Sequence, residues 1–228
     1  MARNIVILGS GHGGVQAAAS LREDGFDGKI RIVSADTNLP YHKPPLSKTF
    51  IKDQAAQPQP LRGEIFYQNQ DIDLELGVTV ESIDARSRRL TLGNGAALDF
   101  DSLILATGSR PRLLPQAQHL TGVYALRTLA DARLIREAAA SAQEVVVIGA
   151  GFIGLEIAAT LSAGRKVTVI EAAPRVLGRG VARAVADHVA TRLTESGVRI
   201  ITGARIDGFE SEDGRVSGIR LAGNERIP

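Results

Sequence analysis

Two glycine runs carry the clearest chemistry in this chain: Gly9-Ser10-Gly11-His12-Gly13-Gly14 and Gly149-Ala150-Gly151-Phe152-Ile153-Gly154. Each contains Gly-x-Gly-x-x-Gly, a spacing suited to a pyrophosphate. The first glycine permits a sharp turn, the second lets the phosphates approach bare backbone, and the third lets helix and strand pack closely. A carboxylate at the end of the following strand would then hold the ribose. In the second copy that residue is Glu171, directly after Ile170. It would accept hydrogen bonds from a 2′-hydroxyl and repel a 2′-phosphate, favouring NAD over NADP. Arg175 and Arg179 would soften that preference. In the first copy the matching place is read as Ala35, with Asp36 one residue further on.

Other chemistries find little support. The chain has no cysteine, so none of its residues can form a redox dithiol, a disulfide or a thiolate metal site. No His/Asp/Glu cluster has metal-ligand spacing. His12 lies inside a phosphate loop and His42 beside a Pro-Pro pair, and both read as loop residues rather than bases. A net charge of +2 without long Lys/Arg runs gives no basis for nucleic-acid or membrane binding. The N-terminus enters an apolar strand directly, with no secretory signal, so a cytoplasmic location is expected.

The elements that must position these residues appear as an internal repeat. Residues 4–36 read as strand, glycine turn, helix and strand, and residues 144–171 read the same way. An Ala four residues past the last motif glycine (Ala18, Ala158) and a Leu seven past it (Leu21, Leu161) recur in both copies. Such spacing packs each helix on its sheet. This context, strand before and helix after, is what the glycine motif requires. Between the copies, residues 37–70 are rich in proline, with a short helix predicted near Pro45. Strands are predicted at 78–83, 89–92 and 102–105, with a hairpin turn at Asn94-Gly95. Thr128-Leu129-Ala130-Asp131 predicts a capping box opening a helix to Ser141. A helix over 181–195 is predicted with Val181, Val185, Val189 and Leu193 on its buried face. Strands at 198–201 and 216–221 follow. The fold class is α/β, with two Rossmann-like dinucleotide-binding domains at 1–113 and 114–228.

Further segments carry a family resemblance. Tyr41-His42-Lys43-Pro44-Pro45-Leu46-Ser47-Lys48 resembles the Arg-Pro-Pro-Leu-Ser-Lys segment of ferredoxin and rubredoxin reductases that serve oxygenases. Leu105-Ala106-Thr107-Gly108-Ser109-Arg110-Pro111 is similar to the Ala-Thr-Gly-x-x-Pro stretch of two-dinucleotide flavoproteins, and Leu126-Arg127-Thr128-Leu129 and Gly154-Leu155-Glu156 also match. The resemblance, to putidaredoxin reductase-like FAD-dependent pyridine nucleotide oxidoreductases, covers essentially the whole chain. It implies a glutathione-reductase-like pair of FAD and NAD(P) domains. It also implies an enzyme that takes hydride from NADH onto FAD and passes single electrons to a small iron–sulfur protein. By this resemblance Gly9, Gly11, Gly13, Gly14, Asp36, Lys48, Val80, Ala106, Thr107, Gly108 and Arg127 would serve FAD. Gly149, Gly151, Phe152, Ile153, Gly154, Glu156 and Glu171 would serve NADH, with Lys48 and Glu156 as the catalytic pair.

Three departures accompany the resemblance. Lys43 stands where the family has Arg, and an ammonium cannot make bidentate guanidinium contacts. Ala35 replaces the acidic FAD-ribose ligand. The family also continues well beyond this length, so the chain is expected to be an N-terminal portion without the C-terminal interface domain and the remaining FAD segment. Related flavoproteins with oxygen, a quinone or a nitrite-reducing partner as acceptor, and a nucleotide-binding fragment without turnover, are the competing expectations.

Overall fold

A computed structural model describes residues 3–228. The chain divides into two compact units, residues up to His42 with Pro58–Arg110, and Lys43–Gln57 with Pro111–Pro228.

The first unit begins with strand β1 (Asn4–Leu8), helix α1 (His12–Glu23) and strand β2 (Lys29–Ser34). The chain then contributes a 3-10 turn (Pro44–Ser47) and helix α2 (Thr49–Lys52) to the second unit. It returns through α3 (Glu64–Asn69), β3 (Ile72–Leu76), β4 (Val80–Asp84), β5 (Arg89–Leu92), β6 (Ala97–Asp99) and β7 (Ser102–Leu105). A parallel sheet runs β3-β2-β1-β7, and β4-β5-β6 form a separate antiparallel sheet. Alternation along β1 explains why its apolar run is unbroken. Ile5 and Ile7 pack with Val15 and Ala18 of α1 and Tyr67 of α3. Val6 and Leu8 pack instead with Leu90, Leu92 and Phe100. A central strand covered on both faces must be apolar at every position.

The second unit contains α4 (Leu129–Ser141), β8 (Glu144–Ile148), α5 (Phe152–Leu161), β9 (Lys166–Ile170), α6 (Arg183–Glu195) and β10 (Arg199–Ile201). The antiparallel strands β11 (Ile206–Glu212), β12 (Arg215–Leu221) and β13 (Arg226–Ile227) complete it. Its parallel sheet runs β10-β9-β8. Val167 and Val169 of β9 face α5 and α6 through Leu155, Ala158, Leu161, Ala186 and Leu193. Ile170 packs on the other side with Ile219, Leu221 and Ile227. The internal repeat is therefore larger than the βαβ units: each parallel sheet has helices on one face and an antiparallel three-stranded sheet on the other.

Helix α4 opens on the expected capping box, Thr128 accepting from the Asp131 N–H while the Asp131 carboxylate accepts from Thr128. Helix α6 packs the predicted face on the core at Val189 and Leu193, with Val181 on the same core just before it, and departs from it at Val185. It starts at Arg183, buries Ala186 and Leu193, and leaves Val185 half exposed at 50%. A strict four-residue step over-rotates by about 40° on a helix of 3.6 residues per turn, so a Val181-Val185-Val189-Leu193 stripe drifts off one face.

Candidate functional site

In the first unit the glycine run joins the end of β1 to the start of α1. Gly9 has φ +108°, in the left-handed region, and its N–H donates to the Val33 carbonyl at 2.8 Å. A Cβ on Gly14 would strike the Gly9 carbonyl oxygen, so only glycine lets α1 begin so close to the turn. A Cβ on Gly11 or Gly13 would meet nothing within 4 Å. These positions therefore present bare backbone to open space. The first intrahelical bond is Val15 to Gly11, leaving the preceding turn of N–H groups outside the helix ladder. No acidic side chain occupies that turn. The Ala106 N–H bonds to the Leu8 carbonyl at 2.8 Å, and a Cβ on Gly9 would strike the Ala106 oxygen. Ala106, Thr107 and Gly108 are thus brought beside Gly9, at the carboxyl ends of β1 and β7. That is where open α/β sheets bind ligands.

The second unit repeats this geometry. Gly149 has φ +99° and bonds to the Ile170 carbonyl at 2.8 Å, while a Cβ on Gly154 would collide with the Gly149 carbonyl. Gly149 and Gly151 again open on empty space, and Phe152 and Ile153 are exposed at the start of α5. Glu171 follows β9, its carboxylate accepting from the Ala150 and Ala173 N–H groups at 2.7 Å each. Arg175 is tied to the carbonyls of Gly178 and Val181. Both cradles have the bare backbone, free approach and helix N-terminus that a dinucleotide pyrophosphate needs.

Strand register corrects one reading. Leu8 pairs with Val33 and Ile148 pairs with Ile170, so the counterpart of Glu171 is Ser34, not Ala35. The Ser34 hydroxyl accepts from Ser10 at 2.8 Å and from the Asp36 N–H at 3.2 Å. Asp36 itself accepts from Asn38 at 2.7 Å and Tyr41 at 2.9 Å. Its carboxylate thus holds the loop that follows β2. Val80 opens β4, paired with Leu92 and partly buried. His12 and His42 meet through ring nitrogens 3.2 Å apart.

Lys48, Glu156 and Arg127 all belong to the second unit. Pro44 and Pro45 open the 3-10 turn, where a missing N–H costs nothing. Leu46, Phe50 and Ile51 are buried, Ile51 in the core built by α5, β9 and α6. Lys48 Nζ lies 2.7 Å from Glu156 Oε2 and donates to the Pro44 carbonyl at 3.2 Å. Ser47 Oγ donates to the same Glu156 oxygen at 2.5 Å. Burial pushes the Glu156 carboxyl up, but the hydrogen bonds from Lys48 and Ser47 and the Lys48 charge outweigh it and hold the group below the ordinary carboxylate value. Arg136 of α4 donates to the Phe50, Asp53 and Ala56 carbonyls and stacks 4.3 Å from the Phe50 ring. Arg127 precedes α4, its N–H bonded to Asp131 at 2.9 Å. Ser34, Ser47 and Arg136 were not singled out as site residues from sequence. Ser47 lies within the Pro-Pro-Leu-Ser-Lys segment, whereas Ser34 follows only from the strand register.

Among the described residues no group of three His, Asp or Glu is placed to hold a metal, and no helix is long and apolar enough to cross a membrane. A family model described as pyridine nucleotide-disulphide oxidoreductase matches residues 3–228. The chain is 41% identical over 226 residues to a rubredoxin-NAD(+) reductase of Pseudomonas putida, covering 98% of the chain and 59% of that relative. A crystal structure of a ferredoxin reductase for the CYP199A2 system from Rhodopseudomonas palustris superposes with a TM-score of 0.94 at 40% identity, over 99% of this chain and 56% of the other. The reductase in a covalent putidaredoxin reductase–putidaredoxin complex gives 0.93 at 39% identity, over 99% and 56%. The chain therefore spans somewhat over half the length of the relatives it matches. With two glycine cradles on one repeated scaffold and a family match along all of the described residues, the chain belongs to the pyridine nucleotide-disulphide oxidoreductase family.

Proposed function

We propose that the chain is the nucleotide-binding part of an FAD-dependent NADH:ferredoxin or NADH:rubredoxin reductase acting in the cytoplasm. Residues 1–113 would form the FAD-binding domain and residues 114–228 the NAD-binding domain. The observation that carries this reading is the pair of open glycine cradles, each with its close-packing third glycine. Reductases of rubredoxin and putidaredoxin among the relatives support a small iron–sulfur protein as electron acceptor.

FAD and NADH, when bound, supply the hydride and one-electron chemistry. The chain's residues hold and tune them. Gly9, Gly11, Gly13 and Gly14 bind the FAD pyrophosphate through backbone N–H groups, with Asp36, Val80, Ala106, Thr107, Gly108 and Arg127 as further FAD residues. Gly149, Gly151, Phe152, Ile153 and Gly154 take the NADH pyrophosphate, and Glu171 accepts from its ribose hydroxyls. The Glu171 charge disfavours a 2′-phosphate. Lys48, ion-paired with Glu156, offers a cation to the negative charge of a reduced flavin.

Anaerobic mixing of the flavin-loaded chain with NADH tests the reading by bleaching of the flavin absorbance. Turnover with ferredoxin or rubredoxin faster than with oxygen or a quinone supports the acceptor class. Failure of NADH to bleach bound flavin would overturn the enzyme assignment.

A further inference from the structure

Among the described residues, and leaving aside the tyrosines, Ser47 is the one polar side chain that is buried, at 4% exposure. Leu46 on one side and Phe50 a turn later are equally buried, so the hydroxyl has few places to spend its hydrogen. It bonds to Glu156 Oε2 at 2.5 Å, with the Pro44 carbonyl a distant alternative at 3.3 Å. Its own carbonyl accepts from Thr160 Oγ1 at 2.9 Å. Glu156 and Thr160 lie four apart on α5 and so share one face. That face grips Ser47 twice, once through its hydroxyl and once through its backbone.

The Lys48–Glu156 pair is more weakly restrained, Lys48 also reaching the Pro44 carbonyl at 3.2 Å. Its side chains are 48% and 33% exposed, and pairs of that kind gain little because two long side chains must be ordered in water. Both donors converge on Oε2, while Oε1 receives no hydrogen bond among the described residues. Among the described residues Lys48 is the only charged group that touches Glu156. A short side chain anchored in the core sets the carboxylate, and the carboxylate then sets the flexible lysine.

We propose that Ser47 is a positioning residue: its buried hydroxyl, on a backbone whose carbonyl Thr160 holds, fixes the Glu156 carboxylate that in turn holds Lys48 in place. Its consequence for flavin reduction rests on the Lys48 role in the proposed function, whereas its effect on Glu156 does not.

Titrating the Glu156 side-chain carboxyl carbon by NMR in the full 13C-labelled chain separates the two. In Ser47→Ala the Glu156 midpoint is expected to rise, and in Ser47→Thr, which keeps the hydroxyl, to stay near the native value. Lys48→Met, at an exposed position, is also expected to raise the midpoint, because burial of the carboxyl then outweighs the remaining Ser47 donor. With FAD bound, Ser47→Ala should slow flavin reduction by NADH roughly tenfold and move the acid limb of its pH profile upward. An unchanged Glu156 titration in a folded Ser47→Ala chain overturns the proposal. So does a Ser47 hydroxyl proton that exchanges with water as fast as that of free serine in the native chain, which decides the matter even where the alanine variant does not fold. A raised midpoint with unaltered flavin reduction supports the Ser47 assignment and removes Lys48 from the reaction.

Discussion

At the scale of single residues, the second unit concentrates its polar interactions on Glu156. Removing the lysine charge leaves the carboxylate with its Ser47 donor but leaves a reduced flavin without the Lys48 cation. Lys48→Met is therefore expected to slow flavin reduction by NADH while changing stability by less than about 1 kcal/mol, since the pair is substantially exposed. Stopped-flow reduction at the native rate would exclude Lys48 from the mechanism. Tyr67 presents the opposite situation. Its ring is buried in the first unit's core, no group among the described residues bonds its hydroxyl, and burial pushes its ionisation up to about 12 against a smaller opposing effect of Arg62. A buried unmatched hydroxyl costs about 1–3 kcal/mol. Tyr67→Phe should thus leave the urea midpoint unchanged or raise it, and a clear loss of stability would reveal a hidden partner.

Among the elements, helix starts govern both structure and binding. The Thr128–Asp131 capping box satisfies the first N–H groups of α4, the helix whose Arg136 clamps the excursion carrying Lys48. Thr128→Ala should destabilise the chain by about 1 kcal/mol, read in chemical denaturation. The glycine turns separate the two jobs sharply. Gly154→Ala places a methyl into the Gly149 carbonyl and should destabilise the fold by roughly 1–3 kcal/mol. Gly14→Ala should do the same through Gly9. Local pattern was enough to locate these helices and most strands, including the hairpin at Asn94-Gly95. It was not enough for β3, although Ile72-Asp73-Leu74-Glu75-Leu76 alternates as a strand should. On α6 the pattern found Val189 and Leu193 and misplaced only Val185, because an apolar repeat of four mimics, over two turns, the true helical period.

For the whole molecule, the important fact is that each compact unit carries its own cradle. Gly11→Ala and Gly151→Ala both add a methyl to open space, at φ −75° and −80°, so the fold should lose no more than about 0.5 kcal/mol. Binding should separate instead. Gly151→Ala should weaken NADH and spare FAD, and Gly11→Ala should do the reverse, as titration calorimetry would show. Equal loss of both ligands in either variant would contradict one site per unit. The two cradles, their βαβ setting and Glu171 were legible in the sequence because turn chemistry and helix packing act over a few residues. Ser34 as the counterpart of Glu171 depends on strand pairing, and the grip on Ser47 joins residues more than a hundred positions apart. Such long-range contacts leave no spacing to read along a chain. The sequence alone determined that two dinucleotide cradles exist. Only the tertiary structure decided which hydroxyl stands beside the first and which buried serine holds the carboxylate of the second unit, because both depend on what the packed core brings together.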